Sequence, residues 1–373
     1  MIFRALFLIG IILFNSPAHA AMETSAKQAI IIDMGTGMTL FEKNSDERMP
    51  TSSMSKVMTA YMVFEALKEG RVQMDTMLPV SEKAWRKGGS KMFIEVGSRV
   101  SVEDLLKGLI VQSGNDASIA LAEGLAGDED AFAAVMTQRA NDLGMKGTQL
   151  KNASGWPDPD HYSTARDLAL LAQRLIVDYP HEYALYSIKE FTYNGITQAN
   201  RNPLLYRNMG VDGIKTGHTS VGGYGLMASG ENDGRRVVMV VNGLNSEQER
   251  AMESARLMSW ALNGFETVNL INVGDVIDTL PLMYGDSDSV ELTVNRDVRI
   301  TVPKAEKDSV KTEIIYNTPL IAPVNKGDMV GTLNIIIPQL GEFKVPVVAA
   351  EDIEKAGFIS RAFTNLRLLM KGE

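Results

Sequence analysis

The apolar positions change period several times along the chain, and each change marks an element. "AIIIDMGTGMTLFEKN" (29–44) reads as two short strands about the turn Met34-Gly-Thr-Gly37, a hairpin. In "PTSSMSKVMTAYMVFEALKEG" (50–70) the apolar residues from Val57 to Leu67 surround most of a helix, with Gly70 placed to end it. A helix apolar nearly all round belongs inside a domain rather than on its surface. Residues 102–175 read as helix-rich, broken at Gly127-Asp128, at Gly144–Gly147 and between Gly155 and Asp160. Strand patterns return in 223–244, two apolar runs about an Asn232-Asp-Gly234 turn. One amphipathic helix over 246–265 follows, closed by Gly264. A hairpin first, helices between, and a hairpin and helix last predict one sheet built from both ends of an α+β domain, with helices packed on it.

Beyond Phe265 the pattern shortens. Strand-like runs such as "SVELTVNRDVRITV" and "MVGTLNIIIPQ" alternate with Gly, Asp, Asn and Pro turns, which predicts a small all-β, sandwich-like domain over 266–350. In the last stretch, 351–373, Phe358, Ile359, Ala362, Phe363, Leu366, Leu369 and Met370 share a helical face, with Arg361, Arg367 and Lys371 on the other. That suits a helix lying in a membrane interface, or one docked on its own domain. At the other end, Arg4, a short apolar core from Ala5 to Phe14, the breaker Asn15-Ser-Pro17 and Ala18-His-Ala20 form a secretory signal over 1–20. The core falls short of the roughly 20 residues that span a bilayer. A domain over 21–265 would then work outside the cytoplasm.

Composition removes whole classes of chemistry. A net charge of −9 gives no long-range attraction for nucleic acid. The chain has no cysteine, hence no disulfide, thiol nucleophile or thiolate metal site. Past the signal only His161, His181 and His218 remain, a poor set for a metal, and no Gly-x-Ser-x-Gly elbow or phosphate-cradling Gly-x-x-x-x-Gly-Lys is present. What remains is a serine nucleophile with lysine as its base. Ser53-Met-Ser-Lys56 supplies it: on a helix the two lie three residues apart on one face, beside the positive N-terminus. A desolvated Lys56 can lose its proton and serve as a neutral base. Ser-x-x-Lys also arises by chance, and serine-rich helix caps are common. Ser52 and Ser55 compete for the role, but only Ser53 has a lysine three residues on.

Two later triplets, in order, change the weight of the first: Ser113-Gly-Asn115 and Lys215-Thr-Gly217. Ser-x-x-Lys, Ser-Asp-Asn and Lys-Thr-Gly in this order are the signature of class A β-lactamases and penicillin-binding proteins; the middle element here is Ser-Gly-Asn. With "QSGNDASIALAE", "YSTARDLALLAQRLI", "VDGIKTGHTS" and "ERAMESARLM", the chain resembles the low-molecular-mass penicillin-binding proteins, specifically the D-alanyl-D-alanine carboxypeptidases of the type-5 branch. The resemblance implies an antiparallel sheet with helices on both faces in a serine β-lactamase/DD-peptidase-like domain, and no cofactor or metal. It implies Ser53 as the acylated nucleophile, Lys56 as its base and Ser113 as a proton relay. Asn115 would bond the substrate amide, Lys215 shape the field, and Thr216 meet the terminal carboxylate. Gly217 would let the substrate lie along the strand, the N–H groups of Ser53 and His218 would form the oxyanion hole, and Arg201 and Arg250 would face the site, Arg250 as carboxylate clamp. The partners implied are the peptidoglycan pentapeptide stem, β-lactams and, through the terminal helix, the inner-membrane surface. Three rivals stay open: a D,D-endopeptidase of cross-links, an idle cell-wall-binding protein, and a class A β-lactamase, although no glutamate lies in "KNASGWPDPDHYSTARD" to deacylate one.

Overall fold

The computed structural model describes residues 22–316 and 320–359. The signal expected over 1–20 lies outside the described residues, as does the terminal amphipathic segment from residue 360 onward.

The first hairpin is β1 (Gln28–Asp33) and β2 (Thr39–Lys43). Four helices fill the middle after α1 (Lys56–Lys68): α2 (Val102–Val111), α3 (Asn115–Ala126), α4 (Glu129–Asp142) and α5 (Ala165–Asp178). Then come β3 (Val211–Thr219), β4 (Gly223–Asn232), β5 (Arg235–Leu244) and α6 (Glu247–Asn263). The local chemistry explains where these elements start and turn. Asp233 and Gly234 both have positive φ, 50° and 73°, the geometry of a two-residue hairpin turn whose twist matches its strands. Ser246 caps α6 by accepting from the Glu249 N–H at 3.0 Å, and Thr164 caps α5 the same way through Asp167.

The sheet runs β2-β1-β5-β4-β3, antiparallel throughout, so both ends of the domain meet at the β1–β5 pair and β3 is left as an edge. Period-two alternation sends Ile30, Ile32, Val238 and Val240 into a core with α1 to α5, and Ile31, Met239 and Val241 into a second core with α6. Helices therefore cover both faces. α1 runs buried through the middle of the larger core, as its all-round apolar surface requires. Two small hairpins, Met77–Pro79 with Arg99–Ser101 and Glu190–Tyr193 with Ile196–Ala199, were not foreseen from the pattern. Their strands are three or four residues long, too short for alternation to register.

The β domain holds a six-stranded sheet and a two-stranded one, Phe265–Ile271 with Val298–Pro303, around a third core. Met38, from the β1–β2 turn, is buried in that core, and Thr36 Oγ1 lies 2.7 Å from Thr301 Oγ1. The catalytic sheet is thus plugged into the β domain by its first turn.

Candidate active site

Ser53 does not open α1. Residues Ser52–Ser55 form a 3₁₀ turn and the α-helix begins at Lys56, one turn later than the sequence suggests. The turn is shaped by a contact from far along the chain: Ser52 adopts a left-handed φ of 51°, with its carbonyl pressed against Gly155, where an added Cβ would sit 1.8 Å from the Ser52 oxygen. The tighter turn eclipses positions i and i+3, which aligns Ser53 with Lys56 more closely than an α-helix would.

The competing serines are engaged elsewhere. Ser52 donates to Thr219 Oγ1 at 3.2 Å. Ser55 Oγ contacts Thr51 Oγ1 and lies 2.7 Å from His161 Nε2. Since His161 Nδ1 accepts the Lys151 N–H at 3.0 Å, the ring proton sits on Nε2 and is donated to Ser55. Burial pushes the His161 pKa down to about 4, so the imidazole is a neutral brace beneath the turn.

Lys56 is fully buried and donates to Ser53 Oγ at 2.9 Å, Asn115 Oδ1 at 2.7 Å and the Ser154 carbonyl at 2.6 Å. Burial, aided by the Arg201 and Lys87 charges and opposed by Asp116 and Glu129, lowers its pKa from 10.5 to about 7. A neutral amine has two N–H groups and one lone pair. Asn115 and Ser154 offer only acceptors and hold the two N–H groups, so the lone pair falls to Ser53 Oγ–H.

Opposite, Ser113 has a left-handed φ of 59° and its hydroxyl is buried without a hydrogen-bond partner. Such an orphaned hydroxyl costs about 1–3 kcal/mol and marks a group held for something that binds. Asn115, the first residue of α3, gives its amide N–H to the Gly88 carbonyl at 2.8 Å. Asp116 beside it accepts the N–H groups of Met92 (3.0 Å) and Phe93 (2.9 Å), fixing the loop that forms this wall.

The third wall is the edge strand β3. Lys215 is buried, and burial, then Lys56, Arg201 and Arg250, drive its pKa well below the usual lysine value. Gly217 is pressed on the nucleophile turn: an added Cβ would lie 2.9 Å from the Thr51 carbonyl oxygen. His218 is exposed and stacks on Tyr224, with ring centroids 3.9 Å apart. Ser53, Ser113, Arg201, Thr216, Gly217, His218 and Arg250 line one cleft of about 350 Å³. Arg201 donates to Ser90 Oγ, while Arg250 pairs with Glu247 at 3.0 Å and leaves its buried Nε unbonded. Among the residues lining the cleft, Glu247 is the only carboxylate against the two arginines, which leaves the cleft positive. Among the described residues no carboxylate is hydrogen-bonded to Ser53 or Lys56.

Every residue that the resemblance assigned to the site therefore falls in or against one cleft. The Ser154 carbonyl, Asp116, Ser90, Tyr224 and Glu247 were missed. The first acts through its backbone, and Asp116 and Ser90 through partners far along the chain, so no local pattern announces them; Tyr224 meets His218 across a hairpin, and the i,i+3 spacing of Glu247 and Arg250 was a local signal that could have found Glu247.

Comparison with known proteins agrees with this geometry. The D-alanyl-D-alanine carboxypeptidase family description matches residues 15–246, and that of the penicillin-binding protein 5 C-terminal domain matches 265–355. The chain is 38% identical to D-alanyl-D-alanine carboxypeptidase DacA of Escherichia coli (strain K12) over 355 residues, 93% of this chain and 88% of that one. Among solved structures it resembles the carboxypeptidase DacD from Francisella tularensis (TM-score 0.83, 33% identity, 90% of this chain and 95% of that one) and penicillin-binding protein 5 from Haemophilus influenzae (TM-score 0.77, 36% identity, 90% and 99%). A third, penicillin-binding protein D2 from Listeria monocytogenes in its cefotaxime-bound form, matches 64% of this chain and 98% of its own, with TM-score 0.60 and 31% identity. The chain belongs to the D-alanyl-D-alanine carboxypeptidase family.

Proposed function

We propose that the chain is a serine D,D-carboxypeptidase that removes the terminal D-Ala from peptidoglycan pentapeptide stems, and that β-lactams acylate the same serine. The observation that carries this is the Ser53–Lys56 contact, a hydroxyl facing an amine whose pKa lies near 7 and whose other two positions are held by acceptors. Lys56 takes the Ser53 proton as Oγ attacks the penultimate D-Ala carbonyl. The N–H groups of Ser53 and His218 receive the developing oxyanion. Collapse breaks the C–N bond, and the leaving D-Ala amine takes a proton relayed through Ser113. Water then attacks the ester, giving its proton to Lys56, which returns it to Ser53 Oγ as the acyl group leaves. Asn115 orients the substrate amide, while Thr216 and Arg250 hold the terminal carboxylate, with Lys215 and Arg201 adding to the field. β3, an unpaired edge, offers its free side for the substrate to add as a strand.

The N-terminal pattern supports export to the periplasm with cleavage after Ala20. The basic, amphipathic sequence after residue 357 supports attachment to the outer face of the inner membrane, and Phe358 and Ile359 already stand 80% and 73% exposed where it begins. Incubation of the mature protein with benzylpenicillin, followed by intact mass and peptide mapping, tests the nucleophile. D-Ala release from diacetyl-Lys-D-Ala-D-Ala tests the activity. An adduct on Ser53 with D-Ala release is expected; an adduct without release favours the endopeptidase or the idle binder, and no adduct overturns the serine mechanism.

A further inference from the structure

Arg201 opens on the cleft from a short segment in which both of its neighbours are buried asparagines, Asn200 at 6% and Asn202 at 0% exposure. Each of them turns its side chain back to the main chain. Asn200 donates to the Ile188 carbonyl at 2.9 Å and accepts the Asn202 N–H at 3.0 Å. Asn202 accepts the Leu204 N–H at 3.0 Å and so caps the 3₁₀ turn Pro203–Tyr206. Tyr206 Oη lies 2.8 Å from the Lys189 carbonyl and 3.0 Å from that of Asn200. All of these bonds tie the segment to itself or to the residues just before it.

One further bond leaves it. The Asn202 amide N–H donates to the Gly213 carbonyl of β3 at 2.8 Å. Among the described residues this is the only hydrogen bond between residues 200–206 and β3. Its acceptor sits where the strand is tightly packed: a Cβ added to Gly213 would lie 2.6 Å from Tyr183 Oη and 3.3 Å from Tyr186 Cβ. Lys215, Thr216 and Gly217 follow directly along the strand. One buried amide therefore sets how far Arg201 stands from the strand that forms the third wall. That separation matters because a charge acts in inverse proportion to distance. The Arg201 guanidinium is among the groups that hold both Lys215 and Lys56 below the usual lysine pKa.

We propose that Asn202 is a positioning residue, whose side-chain amide holds Arg201 at a fixed distance from Lys215-Thr216-Gly217 so that the arginine's charge and the strand's groups converge on the substrate carboxylate. It touches no substrate and acts through Arg201. For the substrate the inference rests on the carboxypeptidase reading, which it deepens.

Asn202→Ser separates the two bonds, since serine still caps the 3₁₀ turn through the Leu204 N–H but is too short to reach Gly213. The mature wild type, Asn202→Ser, Arg201→Ala and the double variant are compared in two assays. One is the second-order constant for acylation by benzylpenicillin, followed by intact mass, with the final adduct stoichiometry correcting for any inactive fraction. The other is kcat and KM for D-Ala release from diacetyl-Lys-D-Ala-D-Ala. Asn202→Ser alone should lower the acylation constant and kcat/KM by about tenfold, the scale of one lost buried hydrogen bond, with the peptide loss mainly in KM. In the Arg201→Ala background the same substitution should lower them by less than about twofold, because no guanidinium is left to place. A merely structural role would lower both backgrounds by the same factor, and that result overturns the inference. Wild-type constants in Asn202→Ser or in Arg201→Ala overturn it as well. A wild type that takes penicillin on Ser53 but releases no D-Ala overturns the carboxypeptidase reading, and the acylation cycle then still decides the role of Asn202.

Discussion

Replacing Lys56 by methionine separates the catalytic value of the buried amine from its cost to the fold. Methionine fills similar volume and keeps the α1 packing. With its pKa at about 7 instead of 10.5, the folded protein disfavours the ammonium by about 5 kcal/mol, of which about 4 kcal/mol bears on stability at pH 7. Methionine removes that cost. It also leaves Asn115 Oδ1 and the Ser154 carbonyl without the donor they now share, at about 1–3 kcal/mol each. The two effects are similar and opposite, so the melting temperature should stay within about 5 °C of wild type. The pH dependence has a definite sign. Between pH 7 and 10.5 the unfolded chain binds the Lys56 proton more tightly than the folded one, so wild-type stability rises with pH relative to the variant; below pH 7 the full penalty is present. Penicillin acylation should fall by about 10²–10⁴, the contribution of a positioned general base. Scanning calorimetry across that pH range and acylation followed by intact mass make the measurement. Acylation within tenfold of wild type would refute Lys56 as the base, and a loss of more than about 10 °C would refute the cost assigned to burying it.

Four further outcomes follow from the same geometry. The acid limb of kcat/KM against pH should fall near pH 7, because protonation of Lys56 removes the lone pair that faces Ser53; an acid limb below pH 5 would contradict this assignment. Gly155→Ala places a methyl on the Ser52 carbonyl at a φ of 74°, so urea unfolding should show a loss of about 3 kcal/mol or more and acylation should drop with it. Asp116→Asn replaces one of the two oxygens that hold the Met92 and Phe93 N–H groups by a donor, which should lower stability by about 2–3 kcal/mol in the same assay. Arg250→Ala should raise the peptide KM by about 10–100-fold through loss of a charge-assisted contact to the carboxylate, with a smaller effect on kcat.

The three triplets that meet in the cleft and the outline of the fold were legible because each is written locally. Ser53 and Lys56 are three residues apart, and the alternation in β1 and β5 records two buried faces directly. The all-round apolar surface of α1 announced its central burial for the same reason. The roles of Arg201 and Arg250 were reached only through resemblance, since a lone arginine carries no pattern. Tertiary structure decided what depends on distant partners. It gave Ser55 to His161 and Ser52 to Thr219, leaving Ser53 facing Lys56. It wound the nucleophile turn as 3₁₀ because Gly155, a hundred residues on, lies against the Ser52 carbonyl. It supplied the Ser154 carbonyl, a backbone group that no side-chain pattern encodes, and the burial that brings Lys56 near pH 7. Sequence sets which groups exist and how they repeat; the dielectric around them, and which acceptor each donor meets, are properties of packing between segments that the chain keeps far apart.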